Sequence, residues 1–185
     1  MGGIASGTVN RIKADTKVIT TDDIIPAGSS TLKFIANIPE FAKYTFCYTD
    51  PTFVSRAQEM GHSIIVGGDN YGQGSSREHA AMLPMYLGVE AVIAKSYARI
   101  HKKNLFNYGI LPLQFVNGED YDKIAQEDKL TISDVKEGIR TGSFVVSCPD
   151  KGYSFPVQLL ASEEDQNLLI QGGALNVLAQ KLHNA

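Results

Sequence analysis

Cysteine is scarce in this chain: Cys47 and Cys148 are the only two in 185 residues. They lie about a hundred positions apart, so neither a Cys-x-x-Cys metal site nor a disulfide framework is available. Concentrated positive charge is lacking too. Seventeen Lys and Arg against twenty Asp and Glu give a formal charge of −3 with no basic cluster, which argues against nucleic acid as a partner because phosphate binding needs gathered Lys and Arg. No apolar run reaches the length of a membrane-spanning helix, and Met1–Ser6 lacks the basic start and apolar core of a secretion signal. A cytoplasmic chain with no membrane partner is the expectation. His62, His79, His101 and His183 are scattered, and no metal ligand is assigned among them. Internal repeats and low-complexity tracts are absent as well.

What is present, 43% hydrophobic and 20% charged residues, is enough for one good core, so residues 1–185 are expected to form a single domain. Residues 7–13 alternate as an opening strand, and a polar stretch over residues 20–28 leads into irregular apolar-aromatic sequence over 29–49. Residues 51–60 read as a helix ended by Gly61, and His62–Gly67 as a short buried strand. Ala91–Ala94 is a strand, 97–107 a helix stopped by Gly109, and Ile110–Leu113 extended again, an alternation that predicts a parallel βαβ unit. Further on come a short helix over 120–126, a strand over 129–135, and an antiparallel pair, 143–147 with 153–159, across the turn 149–152. Ser162 opens the last helix with an acidic first turn, and Gly172-Gly173 interrupts it. The expected class is α/β, a mixed sheet with flanking helices.

The densest chemistry lies in Gly68-Asp69-Asn70-Tyr71-Gly72-Gln73-Gly74-Ser75-Ser76-Arg77-Glu78-His79. It reads as a glycine-rich corner between the strand ending at Gly67 and a helix beginning near Ala80. Ser75 and Glu78 have the spacing of a capping box, which by itself calls for nothing beyond helix stability. A catalytic reading is compatible with it. A serine hydroxyl acts as a base only if donors and positive charge favour its ionised form, and the free amides of a first helical turn together with Arg77 would supply both. The same groups would hold a carboxylate, with Arg77 offering two parallel donors. On the residues alone, Thr20-Thr21-Asp22-Asp23 is a turn.

Tyr71-Gly72-Gln73-Gly74-Ser75-Ser76-Arg77-Glu78-His79, the block from Ala91 to Phe115 with its Ser-x-Ala-Arg-Ile-His-x-x-Asn-Leu core, the Thr-Thr-Asp-x-Ile-x-Pro-Ala-Gly element at residues 20–28 and Gly172-Gly173 occur here in one order. Together they resemble the small swivelling domain of the aconitase superfamily over nearly the whole chain, in the form found in aconitases more than that of isopropylmalate isomerase small subunits. The resemblance implies a swivelling β/β/α-type fold. It implies dehydration and rehydration of a hydroxy di- or tricarboxylic acid, citrate or isocitrate first, with alkylmalates such as isopropylmalate, dimethylmalate or methylcitrate, or homoaconitate, as alternatives. It implies a four-iron four-sulfur cluster held by a large partner domain or subunit and not by this chain. By the same resemblance Ser75 is the catalytic base, Ser76 and Arg77 bind substrate, and Thr21 and Asp22 face the site, Asp22 orienting Arg77 or a serine; Glu78, His79, Arg99 and His101 are supporting structure. Ile35 stands where aconitases usually carry an arginine for a substrate carboxylate, with Lys33 the residue able to substitute. A non-catalytic module that uses the cradle to hold an anion is the competing reading.

Overall fold

The computed structural model describes residues 5–11 as backbone, and residues 18–126 and 128–183. In chain order the elements are β1 (Ala5–Arg11), β2 (Val18–Thr20), α1 (Thr21–Ile24), α2 (Ser29–Leu32), α3 (Ile38–Ala42), α4 (Phe53–Met60), β3 (Ser63–Gly67) and β4 (Asp69–Gln73). They continue with α5 (His79–Tyr86), β5 (Val89–Ala94), α6 (Arg99–Asn107), β6 (Leu111–Phe115), a 3-10 turn over Gly118–Lys123, β7 (Lys129–Ile132), α7 (Val135–Thr141), β8 (Ser143–Cys148), β9 (Tyr153–Gln158), α8 (Glu163–Gln171) and α9 (Ala174–His183).

The expected mixed sheet closes on itself as a barrel in the order β1-β3-β5-β6-β9-β8-β7. Neighbours from β1 to β6 run parallel, and β6, β9, β8, β7 and β1 pair antiparallel. Closure comes through β1, where Thr8 pairs with Ser63 on one side and Ala5 with Ile132 on the other. A separate two-stranded parallel sheet, β2 with β4, stands apart from the barrel.

The two kinds of strand differ in their sequences for a physical reason. β3 is buried at every position, because Ile64 and Val66 point into the barrel while Ile65 lies under the helices with Phe41, Phe46, Phe53 and Leu83. A strand covered on both faces reads as an unbroken apolar run. β8 and β9 alternate instead, with Phe144, Val146, Phe155 and Val157 inward and the residues between them exposed or half-exposed. Phe115 stacks on Phe155 inside the barrel at 5.6 Å between ring centroids.

Several expectations need correction. The glycine-rich segment is not a direct strand-to-helix corner: β4 intervenes and pairs with β2, and α5 begins only at His79. The Ser75–Glu78 capping box does not form, because Ser75 lies ahead of the first helical turn and the Glu78 cap position carries no side-chain bond. Capping boxes form instead at Thr20 with Asp23 and at Ser162 with Asp165, so the expected turn over residues 20–23 is a capped one-turn helix. The strand expected over 129–135 ends at Ile132, since Asp134 takes a left-handed conformation (φ 51°) and starts α7. The opening strand runs over 5–11, and residues 12 and 13 of the expected span lie outside the described residues. No helix among the described residues is long and apolar enough to cross a membrane.

Candidate functional site

α1 and the loop after β4 meet through one side chain. Arg77 Nη1 donates to Asp22 Oδ1 at 2.6 Å and to the Ile25 carbonyl at 3.0 Å. The capping box at Thr20 fixes α1: the Asp23 amide donates to Thr20 Oγ1 at 3.1 Å, and the Thr20 amide donates to Asp23 Oδ2 at 2.8 Å. Asp22 is therefore presented from a short rigid turn. With Nη1 committed, Nε and Nη2 of Arg77 have no hydrogen-bond partner among the described residues, and a planar guanidinium held on one edge offers its remaining donors as a fork. The Asp22 carboxylate is more than half exposed, so this ion pair orients more than it stabilises.

Ser75 and Ser76 are exposed at the bend before α5, where the Arg77 amide donates to the Ser75 carbonyl at 2.9 Å. The amides of Ser75, Ser76, Glu78 and His79 donate to no atom among the described residues. Together with the helix start they make a patch of unspent N–H groups beside the serines, a setting that favours an anion. The bend depends on Gly72 and Gly74, at φ 79° and 117°, which side-chain-bearing residues adopt only with strain.

Thr21 lies under this loop and not on its open side. It is buried, and its Oγ1, 2.9 Å from where a Cβ on Gly74 would stand, has no hydrogen-bond partner among the described residues. His101, on α6, takes the corresponding place under Gly72: a Cβ there would overlap its Cδ2 and Cγ. Its ring also lies 5.3 Å from that of Tyr71, both ring nitrogens lack partners among the described residues, and burial pushes the imidazole down to about 4, so the ring is neutral. Glu78 approaches the Tyr108 hydroxyl at 3.5 Å, and His79 packs on Phe41 at 5.3 Å between rings.

The structure thus joins Arg77 to Asp22 and sets Ser75 and Ser76 beside them, while Thr21 is placed beneath. Sequence reasoning did not find the Ile25 carbonyl as the second anchor of Arg77, since a main-chain acceptor leaves no residue-type signature. Nor did it find the contacts of Thr21 and His101 with glycine Cα atoms, which show only once the loop is folded. Ile35 is 47% exposed, and Lys33 lies over the Phe34 ring, its Nζ 4.9 Å from the centroid. No three His, Cys, Asp or Glu side chains among the described residues come together at a metal-holding site, and Cys47 and Cys148 are free thiols. The described residues gather no thiolate set of the kind an iron–sulfur cluster takes. A groove of about 1090 Å³ opens elsewhere, where β5 and β6 begin near α7 and α8, and touches none of these site residues.

A parallel βαβ half-barrel, with the Arg77 loop at the edge of a separate strand pair, defines the class, a mixed α/β barrel domain. Residues 44–118 match the aconitase C-terminal domain family. Over the whole chain the fold is similar to a 3-isopropylmalate dehydratase (leuD) crystal structure from Methanocaldococcus jannaschii, with TM-score 0.77, 28% identity, and 97% of this chain and 95% of that one covered. A mitochondrial protein of Aspergillus fumigatus named for aconitate hydratase is 32% identical over 190 residues, 88% of this chain and 24% of its own length. The mitochondrial aconitate hydratase of Saccharomyces cerevisiae is 51% identical over 74 residues, 40% of this chain and 10% of its own. The likeness is thus to the aconitase C-terminal domain over residues 44–118 and to the leuD fold over nearly the whole chain. The chain spans about a quarter of the length of the Aspergillus fumigatus relative.

Proposed function

We propose that this chain is the swivelling part of an iron–sulfur hydro-lyase that isomerises a hydroxy di- or tricarboxylic acid, citrate or isocitrate first. In this reading it works with a large aconitase-type domain or subunit that holds a four-iron four-sulfur cluster. The observation that carries it is Arg77 held by Asp22 and the Ile25 carbonyl, with free donors beside an exposed Ser75. Similarity to the aconitase C-terminal domain supports the reaction class, and the relatives' greater length supports the partner.

Arg77 binds a substrate carboxylate through Nε and Nη2, which puts the carbon next to that carboxylate beside Ser75. Ser75, as the alkoxide, accepts the proton from that carbon, and the free amides around the bend together with the start of α5 stabilise its charge before the transfer. Ser76 lies in the same patch of amides and binds substrate. Thr21 supports the loop from below, and Asp22 keeps the guanidinium in plane. The cluster, when bound in the partner, supplies a Lewis acid for the departing hydroxyl.

A second reading is favoured by one observation. Ile35 is half-exposed where the resemblance expects an arginine, and Lys33 is folded over Phe34. An alkyl group fits that surface better than a third carboxylate, so an alkyl-substituted malate is the alternative substrate. The 3-isopropylmalate dehydratase neighbour agrees with it.

The test is reconstitution. Mixed with a cluster-bearing partner and given citrate, isocitrate or isopropylmalate, the chain is expected to produce the ultraviolet absorbance of an unsaturated acid, and the acid that turns over identifies the substrate. Saturable binding of these acids with no absorbance change would instead make the chain an anion-holding module.

A further inference from the structure

α6 stands on a fixed platform. The Ala98 amide donates to the Tyr71 carbonyl at 3.0 Å, and the Tyr97 hydroxyl is within 2.7 Å of both the Val92 and Leu113 carbonyls. His101, in the first turns of this helix, therefore meets β4 from a place set by the barrel. Its Cγ–Cδ2 edge occupies the space that a side chain at Gly72 would need. From Gly72 the chain reaches Ser75 through Gln73 and Gly74, and Gly74 rests on Thr21. The reactive loop is thus supported at two points, by His101 under Gly72 and by Thr21 under Gly74, and both supports are buried polar groups without hydrogen-bond partners among the described residues.

A ring that only filled space could be a phenyl. An imidazole there leaves Nδ1 and Nε2 unsatisfied in the interior, and such a group costs folding free energy. Native proteins leave few of these, and each one asks for a reason. Arg77 is anchored elsewhere, on Asp22 and Ile25. Of the two supports of the loop, Thr21 shares α1 with Asp22, whereas His101 acts from α6, apart from the anchors of Arg77.

We propose that His101 is a positioning residue for the proton-abstracting serine: its imidazole edge sets the path of β4 at Gly72, and with it the place of the Ser75 hydroxyl relative to a substrate held by Arg77. This rests on the reading of Ser75 as the base. Displacing the hydroxyl slows proton transfer while leaving carboxylate binding intact, because a misplacement of about 1 Å can cost about a hundredfold in rate.

The experiment uses the full chain reconstituted with its cluster-bearing partner and a substrate deuterated at the carbon that loses the proton. His101→Asn shortens the support and keeps its polarity. It is expected to lower kcat about ten- to a hundredfold with KM within about threefold, and to raise the deuterium isotope effect on turnover as proton transfer becomes slower. Loss of folded protein alone would lower the rate without moving the isotope effect, and thermal melts of the variant measure that loss directly. His101→Phe guards against a variant that fails to fold. It keeps a ring at this position without unsatisfied nitrogens, is expected to stay folded with a melt near the parent's, and its greater width against Gly72 should raise the isotope effect in the same way. Parental kcat and isotope effect in folded His101 variants, alongside an inactive Ser75→Ala, would overturn this inference and leave the serine assignment standing. Undiminished turnover in Ser75→Ala would remove the reading beneath it, and the inference with it.

Discussion

The half of the molecule before β6 and the half from β6 onward treat buried polar groups differently. Among the described residues, every buried side chain with an unpartnered polar atom lies in the first half: Thr21, Thr45, Ser63, His101 and Asn104. The second half buries Asp120 and Asp128 and satisfies both. Asp120 accepts from Lys123 at 2.6 Å, and Asp128 accepts from Lys151 at 2.5 Å, from Tyr153 at 2.9 Å and from the Ala125 amide at 2.8 Å. Folding alone favours the second arrangement, because an unmade buried hydrogen bond is more costly than a made one is stabilising. The antiparallel half reads as a stabilising frame, and the parallel half with its strand pair carries groups whose value lies in where they put the serine loop.

The largest effect that would sharpen this contrast is expected from Ser75→Ala. Turnover in the reconstituted enzyme should fall by about 10²–10⁴-fold, the usual worth of a positioned base. Because the Ser75 side chain is exposed and has no hydrogen-bond partner among the described residues, the melting temperature should not move; a folded variant with near-normal turnover removes the serine from the chemistry. Next comes Arg77→Lys, which keeps the charge and loses the fork. KM should rise about ten- to a hundredfold, matching the roughly 1.5–3 kcal/mol of a charge-assisted bond, and steady-state kinetics decide between that and an unchanged KM.

In the frame the expected effect is on stability and not on activity. Asp128→Ala leaves Tyr153 and the Ala125 amide without their acceptor, and should cost about 1–3 kcal/mol in denaturant melts. Burial works to raise the Asp128 carboxyl, but the bonds from Lys151, the Ala125 amide and Tyr153 outweigh it and hold the group below its ordinary value. Its contribution is therefore present above the ordinary carboxylate range and is lost as pH falls through the lowered value. The stability gap between parent and variant should close under acid conditions; a gap independent of pH would show that the charge is not what matters. The smallest effect is expected from Thr45→Val, which removes a fully buried, unpartnered hydroxyl at similar shape. A gain of about 0.5–1 kcal/mol with turnover unchanged would separate idle unsatisfied groups from those under the loop. A loss of stability would mean that Thr45 has a polar role.

The elements legible in the sequence were those that local pattern dictates. β3 and β5 announce themselves as apolar runs, α6 by its stop at Gly109, and the β8–β9 pair by alternation around a turn. β4 was hidden because Asp69-Asn70-Tyr71-Gly72-Gln73 carries neither alternation nor β-branched residues, and only pairing with β2 makes it a strand. α7 was hidden by Gly138 at its centre and a start at Asp134 without a side-chain cap. The motif pointed to Arg77, and the Thr-Thr-Asp element to Asp22, yet their ion pair spans the interval between two distant segments. Pattern names such residues; only the fold brings them together.

One consequence of the closure through β1 concerns the order in which the protein is made. Ala5 needs Ile132 as its partner, so one edge of β1 stays open until every residue through β7 has followed it from the ribosome. Joining such distant segments is slow, and the parallel strands are exposed to wrong pairing in the meantime. A synonymous slow-translation tract placed after the codons for β6 would lengthen that window, and the yield of soluble protein should register it.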